Sequence, residues 1–168
     1  MEKERQNAVI NQRAAFFALV NHPVKFKLYL LKNLPAAFFS GIKIVKADEQ
    51  SCTVYIPYKA FTKNPFRSTY FACLSMAAEM STGILAMASV YNRRTSVSML
   101  ITGMEAKFYK KATEPTFFTC HEGEKISETV SSCLALNLSQ EISVQSTGKN
   151  KAGELVAEFW LTWSFKPR

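Results

Sequence analysis

Residues 64–92 read NPFRSTYFACLSMAAEMSTGILAMASVYN, and between Ser68 and Asn92 Glu79 is the single formal charge. Met, Ala, Ser, Leu and Ile occupy nearly every face of a helical period, which describes a helix enclosed by other structure rather than one lying on a surface. A lone carboxylate on such a helix is costly to bury unless something pairs with it or uses it. What surrounds this helix therefore decides both the fold and the reading of Glu79.

The flanking segments have the period of strands. After Gly41, Ile42 and Ile44 alternate with lysines. Cys52, Val54, Ile56 and Tyr58 then alternate with Thr53, Tyr55 and Pro57, and ADEQ between the two runs is turn chemistry, so a hairpin is expected. Beyond the helix, Val97, Met99 and Ile101 share one parity while Met104, Ala106 and Phe108 take the other. The switch at Gly103 predicts a β-bulge or bend. Residues 116–121 read as a strand, 125–136 as a short helix and 141–147 as a strand. In the last segment Leu155, Ala157, Phe159, Leu161, Trp163 and Phe165 alternate with mostly polar residues. The first forty residues have amphipathic helical spacing, from Val9 and Ile10 through Phe16, Phe17 and Val20 to Val24, Phe26, Leu28, Leu31 and Leu34. Pro23 opens the second helix and Pro35 closes it. Strands curling round one buried helix make an α+β fold with an antiparallel sheet. The expected organisation is a single domain over 1–168, with a helical extension over 1–40 and the core over 41–166.

Composition narrows the classes. At 168 residues, with 48% apolar residues and 12% aromatics, the chain can bury a real core, and a folded domain rather than a disordered chain is expected. The net charge of +8 would steer an anionic partner in. The basic residues are nevertheless scattered between apolar segments, with no basic stripe interleaved with stacking aromatics, so a nucleic-acid partner is not expected. Cys52, Cys73, Cys120 and Cys133 lack both C-x-x-C spacing and a companion His cluster. They read as buried reduced thiols, with no metal site implied. His22 and His121 read as loop or strand-end residues, and Met76, Met80 and Met87 as core. The run AAFFALV is too short for a signal peptide or membrane span, and a cytoplasmic location is expected.

The element order and the residues leading into the helix resemble the hotdog fold of acyl-CoA thioesterases, in which a curved antiparallel sheet wraps a long central helix. Small members of that superfamily carry Asn or Gln, Gly three residues on, His-Gly-Gly leading into the helix, and Asp or Glu upon it. Aligned without a gap, Asn64 takes the first position, Arg67 the Gly, Tyr70 the His, Phe71 and Ala72 the Gly-Gly pair, and Glu79 the acid. The stretch FYKKATEPTFFTCH is similar to the passage that follows the third strand in the superfamily. Within it the chain most closely resembles an uncharacterised thioesterase-like branch with extra N-terminal helices and NPF before the central helix. The resemblance covers about residues 34–165.

What this implies is hydrolysis of an acyl-CoA or acyl-carrier-protein thioester, with no cofactor other than the coenzyme A that is part of the substrate. Glu79 is the expected base or nucleophile, Asn64 the orienter of water or substrate, and the backbone N–H of Phe71 the oxyanion donor at the positive end of the helix, which Ser68 or Thr69 caps. Arg67, Tyr70, Ala72, Arg93, Arg94, Lys110 and Lys111 are the candidate substrate contacts, the cations for the phosphates of coenzyme A. Phe71 and Glu79 stand eight residues apart, about 12 Å along one helix, so one carbonyl cannot touch both. A two-fold partner with an antiparallel helix resolves this, in agreement with the shared dimer sites of the superfamily. The implied assembly is a homodimer or a dimer of dimers, with an apolar tunnel at the interface. Two alternatives stay open. Glu79 is otherwise a structural carboxylate paired with Arg67, Arg93 or Arg94, or hydrogen-bonded to Ser75, Thr82 or Tyr70. The protein is otherwise a fatty-acyl or acyl-CoA binding module whose donors Arg67 and Phe71 obstruct.

Overall fold

A computed structural model describes residues 12–91 and 95–168. Residues 12–20 are helical (α1), and Val9 and Ile10 lie outside the described residues. Pro23 occupies the first turn of α2 (Pro23–Asn33), where its missing N–H costs no hydrogen bond. Pro35 does more than end α2, because it also opens a further short helix, α3 (Pro35–Ser40). Gly41 terminates α3 at φ +76°, a left-handed conformation that favours glycine.

β1 (Lys43–Ala47) and β2 (Cys52–Ile56) form the expected hairpin, and its turn is held by Asp48, whose Oδ1 accepts from the N–H groups of Gln50 and Ser51. After α4 (Phe71–Val90) come β3 (Val97–Phe108), β4 (Thr116–Cys120), α5 (Gly123–Leu136), β5 (Gln140–Lys149) and β6 (Leu155–Pro167). All pairings are antiparallel, in the order β1-β2-β4-β5-β6-β3. The register of β3 against β6 shifts between Ile101 and Gly103, where the sequence places its change of parity.

The sheet packs on α4 through β2, β4, β5 and β6. Leu74, Ala77, Ala78, Ile84, Leu85 and Ala86 of α4 are buried, as are Phe118, Phe159, Leu161, Trp163 and Phe165 of the sheet. Each large apolar side chain so enclosed contributes on the order of 1.5–3 kcal/mol. α4 is apolar and long enough to cross a membrane, yet two thirds of its most apolar window is covered by the rest of the fold. All four cysteines are buried and unpaired, as expected. Gly148 lies opposite Phe118 in the ladder, and a β-carbon there would stand 2.5 Å from the ring, so the glycine gives Phe118 its space. Among the described residues β3 pairs on one side alone, and Leu100, Met104 and Phe108 along it are exposed.

Candidate active site

The approach to α4 is clipped on two sides. Thr69 donates from its N–H (2.7 Å) and its hydroxyl (3.1 Å) to the carbonyl of Ala112, and the N–H of Tyr70 donates to the carbonyl of Thr62 (2.7 Å). Thr62 is fully buried and its hydroxyl donates to the carbonyl of Pro57. The preceding loop closes on Asn64, whose Oδ1 accepts from the N–H groups of Phe66 (3.0 Å) and Ser68 (3.1 Å). This is the local turn chemistry that favours Asn at such a position.

These bonds correct the expected cap. The N-cap residue is Tyr70, which makes no side-chain capping bond, because Ser68 is engaged with Asn64 and Thr69 with Ala112. The N–H groups of Phe71 and Ala72, first in α4, have no acceptor among the described residues. Two orphan donors therefore stand at the positive end of a twenty-residue helix. Phe71 lines a groove of about 600 Å³ together with Asn64, Tyr70, Lys110 and Lys111. Tyr70 and Phe71 are exposed and meet edge to face, with ring centroids 5.0 Å apart. Lys110 is paired with Glu154, whereas Lys111 has no acidic partner among the described residues.

Glu79 lies two turns further along and does not line that groove. Its side chain is half-buried and reaches forward over Gly83: a β-carbon at residue 83 would meet Oε1 at 3.1 Å and the Trp163 ring at 3.4 Å. Burial pushes its carboxyl up from the ordinary 4.5. Among the described residues the carboxylate has neither a hydrogen bond nor an ion pair. Thr82 donates instead to the backbone carbonyl of Glu79 (3.0 Å) and accepts from Trp163 Nε1 (3.0 Å), while Ser75 donates to the carbonyl of Phe71. Without a partner among the described residues, this carboxyl holds its proton to higher pH than a solvated one.

The other candidates divide. Ala72 is half-buried beside the groove mouth without lining it. Arg67 is exposed and does not line the groove either. Its φ of +58° shows why glycine suits this place: the turn needs a left-handed residue. Arg93 and Arg94 lie outside the described residues. The sequence reading missed Gly83 and Trp163, which form the wall beside Glu79. A glycine inside a helical pattern, four residues after the only charge, was the available signal.

An antiparallel sheet curled round one long buried helix defines the hotdog fold. A family model described as a domain of unknown function (DUF4442) matches residues 26–165, and the chain belongs to that family. Among solved structures it is similar to a probable thioesterase of unknown function from Pseudomonas aeruginosa (17% identity, TM-score 0.72, covering 89% of this chain and 99% of that one). It is also similar to a protein of unknown function from Chlorobaculum tepidum (14% identity, TM-score 0.73, 90% and 99%). A thioesterase from Haemophilus influenzae matches as well (17% identity, TM-score 0.60, 83% and 88%). No curated protein matches the sequence.

Proposed function

We propose that the protein hydrolyses an acyl-CoA or acyl-carrier-protein thioester at a site shared by two copies of the chain. The observation that carries this reading is the half-buried Glu79 carboxylate, without a partner among the described residues, on the same helix as the orphan N–H groups of Phe71 and Ala72. Separated by about 12 Å within one chain, they converge on one carbonyl if a second α4 runs antiparallel. The open edge of β3, with Leu100, Met104 and Phe108 exposed along it, is a surface on which such a partner would be seated.

In the reaction Glu79 takes a proton from water as the water oxygen attacks the thioester carbon. The carbonyl oxygen gains negative charge against the N–H groups of Phe71 and Ala72 of the other copy. The C–S bond then breaks and the thiolate takes the proton back, leaving a free carboxylic acid and a thiol. Lys111 is placed at the groove to meet an anionic part of the carrier. Asn64 is assigned to holding the 64–68 loop that presents the donors, since its Oδ1 is already occupied. The non-catalytic binding alternative loses one of its two obstructions, because Arg67 stands outside the groove lining.

Mixing two inactive variants tests both the chemistry and the sharing. Glu79→Ala removes the base. Phe71→Pro removes one donor at a position where proline suits a helix, and Tyr70, at φ −61° and ψ 133°, already has the backbone that precedes proline. A shared site restores about a quarter of parental thiol release in the mixture, since half the dimers are mixed and each has one intact site. No recovery in demonstrably mixed dimers sinks the shared site, and parental turnover by Glu79→Ala sinks the catalytic role.

A further inference from the structure

A second concavity, of about 890 Å³, lies between α2, α3, the start of β1 and the turn at Phe61. It shares no lining residue with the groove at the start of α4. Its floor is buried Phe26 and Leu30, while its rim exposes apolar side chains to water, Leu28 at 61% and Phe61 at 72%. Isolated exposed apolar residues are ordinary, but a contiguous set around a concavity marks a binding surface. The volume falls within the range of about 300–1,000 Å³ typical of small-molecule sites.

Charge identifies the occupant. Lys27, Lys43 and Lys59 are in the lining and no Asp or Glu is, and none of the three lysines has a carboxylate partner among the described residues. Lys27 lies over the Phe38 ring of the lining at 5.6 Å, whereas the Lys43 ammonium lies over Tyr55, outside the lining, at 5.9 Å. Lys59 folds its ammonium onto Gly41, where a β-carbon would meet Nζ at 2.5 Å, so the absent side chain of Gly41 lets this cation lean over the groove. An apolar trough rimmed by unpaired ammonium groups complements a hydrocarbon tail with an anionic head. Its recessed floor suits an inserted chain better than the flat face of a bilayer.

We propose that this groove binds a free single-chain amphiphile of the fatty-carboxylate type, at a site separate from Glu79. Calorimetric titration with dodecanoate, below its micellar concentration, tests it. One dodecanoate binds per chain, at least tenfold more tightly than dodecanol, whose head is neutral. Leu28→Asp, at an exposed position and with folding checked by circular dichroism, weakens binding at least tenfold. The double variant Lys27→Gln, Lys59→Gln abolishes the preference for dodecanoate over dodecanol, and Phe71→Asp in the other groove changes nothing. Absence of dodecanoate binding overturns the proposal. Loss with Phe71→Asp but not with Leu28→Asp also overturns it, because the chain then sits in the thioester groove. So does sedimentation with phosphatidylcholine–phosphatidylglycerol vesicles without binding of the free acid, which would make this face a membrane contact.

Discussion

The carboxylate of Glu79 rests on Gly83, one helical turn further on, at 3.1 Å from where a β-carbon would stand. Alanine is the better helix former by about 1 kcal/mol, so Gly83→Ala should leave the fold intact. The added methyl must push the carboxylate aside, because the Trp163 ring closes the other direction at 3.4 Å. Thiol release falls while the melting temperature holds or rises; unchanged turnover would show that the position of the carboxylate is immaterial.

Glu79→Gln separates stability from activity through pH. The carboxyl is raised above its ordinary 4.5 in the folded state, so the folded protein binds more protons than the unfolded chain between those two values. Stability of the parent therefore declines as pH rises through that window and stays lowered above it. The variant lacks this decline: it is inactive, matches the parent at low pH and exceeds it at neutral pH. Denaturant midpoints measured across pH for both proteins check the sign.

Phe71→Pro takes away one N–H of the proposed oxyanion site while keeping the helix start. Loss of one such donor typically lowers kcat by about 10²–10³. The expected result is a folded protein with that loss and an unshifted melting temperature, read by thiol release and calorimetry.

Gly148→Ala probes the sheet. The new methyl would stand 2.5 Å from the fully buried Phe118 ring, which also meets Phe159 edge to face at 5.6 Å. Both rings are fully buried, and overpacking of this kind costs about 1–3 kcal/mol. A denaturant midpoint equal to the parent's would contradict it.

Arg67→Gly acts in the opposite direction. A left-handed residue with a β-carbon carries about 1–2 kcal/mol of strain, partly offset by the greater freedom of glycine in the unfolded chain. Stability at or above the parent's is expected, because the turn at φ +58° is then adopted without a clash. A melting temperature lowered by several degrees would mean that the arginine side chain itself holds the loop.

The periodicities of 42–58, 97–108 and 155–165 carried most of the architecture, since a half-buried strand must alternate and an enclosed helix must be apolar all round. The same logic singled out Glu79, because one charge in a greasy helix is conspicuous by cost alone. Capping was misread because sequence shows that Ser68 and Thr69 have hydroxyls, whereas their bonds to Asn64 and Ala112 depend on how the loop folds back. Local pattern thus determined the helix, the strands and the bulge at Gly103, where each residue's face follows from its neighbours in the chain. Tertiary structure alone decided that Trp163 stands beside Glu79, that Ala112 holds the helix entrance, and that Lys27 and Lys59 share a rim. Those contacts join residues far apart in sequence, and only packing brings them together.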